Sequence, residues 1–270
     1  MDIAHAARRL ALLAATVFFA VPAAACVVNK FVSGNDTLYL KWGDNHAGTL
    51  GGTVYWSFIP PGTPGSAYCG DACPGNSGAS INVEISPGGG FVANDITLLE
   101  SHVTAMMAVW SKATGIQFVK AGDSGAAIND AAAVPPATGQ IRIGVFDFTT
   151  HNVAAVGYSP PPNGGTGAGD ILFDSGAYYQ FAPGNQGDSY DTTYAPNDID
   201  GLILHELGHA IGLEHPVHVA GQCPVMDVDP ACLGIVNRQL GADDRLGAMF
   251  LYDTLKLDGF EATEPGCTAQ

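Results

Sequence analysis

The sequence predicts an α+β domain, and three observations predict it. Segments 94–114 and 198–211 carry apolar residues at helical spacing, several short β-branched or aromatic runs read as strands, and 35 Gly with 17 Pro in 270 residues require more turns than a helical bundle contains. Hydrophobic residues make up 47% and charged residues 13%, the reverse of a disordered composition, and the length is enough for one substantial core. Ten Lys+Arg stand against 26 Asp+Glu, a formal net charge of −16. That balance excludes sequence-independent nucleic-acid binding, which needs a basic face.

In chain order, residues 10–25 form the only long apolar run, with Arg8 and Arg9 before it and Ala23, Ala24 and Ala25 closing it. The run is too short to span a bilayer and has the layout of a secretory signal peptide, so residues 1–25 are expected to be removed after Ala25. The mature chain then keeps 8 basic and 25 acidic residues, which suits a secreted monomer without stable membrane insertion. Cys26, Cys69, Cys73, Cys223, Cys232 and Cys267 all survive the cut, and an even count in an exported chain reads as disulfides. Spacing suggests Cys69 with Cys73 and Cys223 with Cys232, which leaves Cys26 for Cys267. The rival reading, Cys26 as the lipidated first residue of a lipoprotein, has Ala23 where Leu is usual and would leave an odd thiol.

Residues 53–59 (TVYWSFI) predict a strand, and the Pro/Gly-rich stretch 60–78 a loop stapled by its two cysteines. Leu99, Val103, Met106, Met107 and Trp110 predict one amphipathic helix over 94–114, with Asn94 or Asp95 as N-cap, Gly115 as the stop, and the Met and Trp stripe as core. Strands follow at 116–120 and 141–145, separated by an Ala/Gly-rich stretch, 121–139, that reads as a mobile surface loop. A further loop, 159–169, leads to a strand at 171–173. No internal repeat and no glycine-rich phosphate loop occurs.

The pattern becomes specific at 198–215, DIDGLILHELGHAIGLEH. Leu202, Ile203, Leu204, Leu207 and Ile211 predict an apolar helix capped by Asp198 or Asn197. His205 and His209 lie four residues apart, so both imidazoles share one face about 6 Å apart along the axis. Gly212 permits a sharp exit, since it adopts positive φ without a Cβ clash, and His215 can then supply a third nitrogen. Three neutral imidazoles with one open position are what a catalytic zinc site needs. Glu206 lies beside the metal without being forced to bind it, placed to take a proton from water.

These residues resemble the metzincin metallopeptidases, whose extended zinc motif is matched by His205, Glu206, His209, Gly212 and His215, and whose methionine turn is matched by Met226. Segments 109–119 (VWSKATGIQFV), 141–145 (IRIGV), 169–174 (GDILFD) and 240–253 (LGADDRLGAMFLYD) are similar to the matrixin branch, its first helix, strands and closing helix. The resemblance covers about 53–255. It implies a twisted mixed five-stranded sheet with two long helices in an upper lobe, and a small irregular lower lobe with the methionine turn and a C-terminal helix. It further implies a zinc endopeptidase domain over 53–258, between a short N-terminal segment, 26–52, and a tail, 259–270. An extended polypeptide substrate would lie along an edge strand at 171–173.

The departures carry expectations of their own. Pro216 follows the third histidine as in serralysins, but no Gly/Asp calcium repeats follow, and Val228 stands where an astacin has its tyrosine ligand. The histidines of the matrixin structural zinc would fall near Gly157 and at Leu172, leaving His151 without partners, so that second zinc is expected to be absent. Gly167, Gly169, Asp170 and Asp174 match positions that supply oxygen ligands to calcium in the family, with a plain acidic loop as the alternative. The cysteine-containing latency pattern of animal members is missing, and Asp44 or His46 could serve as a short inhibitory ligand or sit in a solvated turn. Two rival functions stay open: a non-catalytic zinc-binding surface protein on the same scaffold, and a hydrolase of cell-wall peptides.

Overall fold

The computed structural model of the chain describes residues 26–84, 90–133, 135, 138–182, 184–191, 197–252 and 267–270. The expected signal peptide and most of the tail lie outside the described residues. The β-branched and aromatic runs assemble a five-stranded sheet from β4 (Thr53–Phe58), β7 (Gln117–Lys120), β8 (Ile141–Phe146), β9 (Ala155–Gly157) and β10 (Ile171–Asp174) in the order β7-β4-β8-β10-β9. All pairs are parallel except β9 with β10. It is the mixed five-stranded sheet that the resemblance implies.

The expected placement of the edge is corrected. β10 pairs with β8 on one side and β9 on the other, and all four of its residues are buried. A continuous apolar run such as ILF marks a strand covered on both faces, which suits an interior position. The edge is β9, three residues with little pattern.

α2 (Glu100–Thr114) packs against α3 (Ile199–Ala210) and α4 (Ala242–Tyr252). Met107 and Trp110 are buried as core, and Trp110 donates Nε1–H to the Leu204 carbonyl at 2.8 Å. Gly115 ends α2 in the left-handed region at φ 70°. The helix starts later than its apolar spacing suggests. Asn94 belongs to a strand, and the Asp95 side chain accepts from Thr97 N to open a short 3₁₀ turn, Ile96–Leu99, ahead of α2.

Several elements have no strong local signal. β5 (Ser80–Glu84) and β6 (Phe91–Asp95) form a hairpin extended by β11 (Tyr178–Gln180) and β12 (Asn197–Asp198). β2 (Lys30–Ser33) pairs with β3 (Asp36–Tyr39), and the stapled loop contains one helical turn, α1 (Ser66–Cys69). β1 (Val27–Val28) lies between β13 (Leu213–Glu214) and β14 (Thr268–Ala269). Disulfides join Cys26 to Cys267, Cys69 to Cys73 and Cys223 to Cys232. A Cys26 sulfur held by Cys267 is not available to a lipid.

The described part of the stretch 121–139 is anchored to the sheet at both ends rather than being a free surface loop. Asp123, 4% exposed, meets the fully buried guanidinium of Arg142 at 2.7 and 2.8 Å and accepts from Ser57 Oγ at 2.7 Å. Thr138 is also buried. Among the described residues no helix is long and apolar enough to cross a membrane.

Candidate metal centre and cleft

α3 presents His205 and His209 one turn apart. Asp198 holds the N-cap position, but its carboxylate does not cap; it takes Nε and Nη2 of Arg238 at 3.2 and 3.1 Å instead. At the other end Gly212, with φ 106°, turns the chain out of the helix so that β13 delivers His215. The Nε2 atom of His215 lies 3.2 Å from that of His205 and 3.0 Å from that of His209. Nitrogens bound tetrahedrally at about 2.0–2.1 Å from one ion would stand about 3.3 Å apart, so the triad is close to the size that zinc requires.

The remaining nitrogens of two rings are committed elsewhere. His205 Nδ1–H donates to the Val225 carbonyl at 2.7 Å and His209 Nδ1–H to the Leu213 carbonyl at 2.9 Å, which leaves each Nε2 lone pair facing the third ring. Burial holds His205, His209 and His215 below the usual imidazole range, His209 down to about 3, so the triad offers neutral nitrogens. These are the donor set and protonation state that a bound zinc needs.

Glu206 is 5% exposed and stands on the cleft side of α3. Burial pushes its carboxyl up to about 8, opposed by the N–H of Gly157. Gly157 is the last residue of β9, and a β-carbon there would stand 2.5 Å from the Glu206 carbonyl oxygen and 3.0 Å from its carboxylate. The edge strand thus runs directly against the acid.

Met226 packs against α3 at Gly208, the residue before the second histidine. Its turn is held by a residue not singled out in the sequence: the Asp244 carboxylate accepts from Val225 N, Met226 N and Gly241 N at 2.9, 3.2 and 2.7 Å. The doublet Asp243–Asp244 at the start of the closing helix was a signal for such a cap. A cleft of about 560 Å³ opens over the triad, lined among others by residues 152–157 and by Val225, Val228, Leu233 and Ile235.

The other candidate ligands are arranged differently from expectation. His151 has partners: its Nδ1 lies 2.7 Å from the buried Asp174 and its Nε2 lies 3.8 Å from Asp147. The positions at which the resemblance would put the second zinc's histidines, Leu172 and near Gly157, lie on the paired strands β10 and β9, where Leu172 faces Val156 and Gly157 faces Ile171. Asp170 and Asp174 do not share a site. Asp170 accepts from Arg142 N at 2.7 Å, and Asp174 from Phe148 N, Gly176 N and His151. A third group, His218, Asp227 and Cys232, includes a sulfur already bonded to Cys223. Asp44 and His46 pair with each other in an exposed turn and do not line the cleft.

With this geometry in place, a comparison with protein families finds that residues 94–253 match the family described as matrixin. The match spans more than half of the chain, from the strand before α2 through α4, and takes in the whole triad. The chain belongs to the matrixin family, a family of zinc metallopeptidases. A search of curated proteins finds no match.

Proposed function

We propose that the chain is a secreted endopeptidase that cleaves extracellular polypeptides, with His205, His209 and His215 holding zinc and Glu206 as general base. The observation that carries this reading is the convergence of three neutral Nε2 atoms beside a buried carboxyl on the floor of an open cleft. Zinc held there supplies a Lewis acid that polarises a peptide carbonyl and makes water nucleophilic near neutral pH. Burial alone favours the protonated acid, but a dication held by the triad would favour the ionised form, and as a carboxylate Glu206 takes the proton from the attacking water and passes it to the departing amine. No serine or cysteine nucleophile is required.

The edge strand supplies the means of holding a chain. The bonds Asp174 N to Ala154 O and Tyr158 N to Asp170 O show that residues 154, 156 and 158 face β10. In an antiparallel ladder the main-chain groups of 155 and 157 therefore point the other way, into the cleft. An extended polypeptide adds there as a further strand, main chain to main chain, which favours cleavage within a chain over trimming from its end. The three disulfides suit an exported protein. Retention of Glu206 together with all three histidines argues against a zinc-binding protein without activity.

Digestion of an unfractionated peptide library, with and without a zinc chelator, tests the proposal. Internal cleavages that the chelator abolishes and added zinc restores are expected. A zinc-loaded, folded protein that cleaves nothing would leave the non-catalytic reading in its place.

A further inference from the structure

Residues 26–42 precede the matched family segment, yet their contacts converge on the five residues that link the second histidine of the triad to the third. The last carbonyls of a helix have no partners within it. Here Trp42 donates Nε1–H to the Ala210 carbonyl at 2.7 Å. The main-chain N–H of Trp42 donates to the Tyr252 hydroxyl at 3.1 Å, and that hydroxyl donates to the Ile211 carbonyl at 2.7 Å. Leu40 closes over the next residue: a β-carbon on Gly212 would stand 2.2 Å from the Leu40 carbonyl oxygen. Leu213 and Glu214 then pair in register with Val28 and Val27, and the Asn29 side-chain amide donates to the Glu214 carboxylate.

Two features tie this scaffold to the triad. The Leu213 carbonyl, fixed by pairing with β1, is the acceptor for His209 Nδ1–H. His215 is exposed, and among the described residues nothing holds its Nδ1, so the placement of its ring depends on the backbone of residues 210–214. We propose that segment 26–42 is a positioning element of the metal centre, and that Trp42 and Asn29 are positioning residues: Trp42 fixes the exit of α3, and Asn29 fixes Glu214 immediately before His215. The inference rests on the zinc reading of the triad and extends it to residues that bind neither metal nor substrate. Its chemical content is that free motion of 210–214 would lower the fraction of chains with all three nitrogens in place.

The test uses the full chain with Trp42→Phe, which keeps a ring and loses the Nε1 donor, and Asn29→Ala at a part-buried position. Zinc affinity is measured by competition with a chromophoric chelator, and melting temperature with and without zinc. Loss of a partner that orients metal ligands typically weakens binding about 10- to 100-fold, which is the effect expected for Trp42→Phe, with about threefold or more for Asn29→Ala. The rise in melting temperature on adding zinc should shrink in both. A purely structural role would lower the melting temperature of the zinc-free form and leave zinc affinity unchanged. Folded variants that bind zinc within about twofold of wild type would overturn the inference, and should Trp42→Phe not fold, Asn29→Ala decides alone. A wild type that binds no zinc would overturn the zinc reading and this inference with it, a result distinct from variants that match a zinc-binding wild type.

Discussion

Met226 fills the notch that Gly208 leaves in α3: a β-carbon at 208 would stand 2.1 Å from the methionine Sδ and 3.2 Å from the Trp110 ring. Helix propensity alone would reward Gly208→Ala by about 1 kcal/mol. Overpacking a buried site costs about 1–3 kcal/mol, and Met226 is 2% exposed, so it has little room to retreat. Packing should win, and Gly208→Ala is expected to lower unfolding free energy in denaturant. A variant as stable as wild type, or more stable, would show that the methionine is not packed as described.

Metal content should be about one tightly bound zinc per chain, because among the described residues only the triad brings three convergent nitrogens together. His151 spends Nδ1 on Asp174 and offers only Nε2 toward Asp147. His151→Ala should leave zinc stoichiometry by elemental analysis unchanged. Two tightly bound zincs in wild type, with one lost in that variant, would contradict this.

The Cys223–Cys232 bridge closes a short segment that contains Met226. The loop-closure relation gives about 3 kcal/mol for a loop of this size. Replacing both cysteines with serine should reduce stability by about that amount, and thiol labelling of the native, non-reduced protein should find neither residue free. Labelling of either one would refute the bridge.

Arg238, which follows the cleft-lining Asn237, pairs with Asp198 at the N-cap position of α3, and the Asp198 side chain is 4% exposed. Arg238→Ala should cost about 2–3 kcal/mol, less than a fully buried pair because the arginine is partly exposed. Most of that loss comes from stranding a buried carboxylate. Arg238→Ala with Asp198→Ala together should therefore be more stable than the sum of the single changes. Strict additivity in the double-mutant cycle would show that the two do not interact.

The parts of this protein that can be read from sequence are those set by local spacing. His205, Glu206, His209, Gly212 and His215 lie within eleven residues, so helix periodicity and one turn bring them together without knowledge of the rest of the fold. Met107 and Trp110 follow from the same periodicity. What stays hidden depends on distant partners. β9 has only Ala, Val and Gly, and only its place beside β10 and Glu206 makes it the edge. The two-residue pairing of Val27–Val28 with Leu213–Glu214 joins segments almost 190 residues apart, and no local pattern announces it. Asp198 holds the N-cap position that its place in the sequence suggests, but no local pattern announces Arg238, forty residues on, which claims its carboxylate.

The central claim is that Glu206 handles protons while the three histidines hold the metal, and Glu206→Ala separates the two tasks. Zinc content and hydrolysis of a protein substrate should be measured on the same purified sample. The account predicts zinc retained at the wild-type level and a rate lower by roughly 10²- to 10⁴-fold, as loss of a general base typically gives. A variant that keeps its zinc and cleaves as fast as wild type would contradict the assignment.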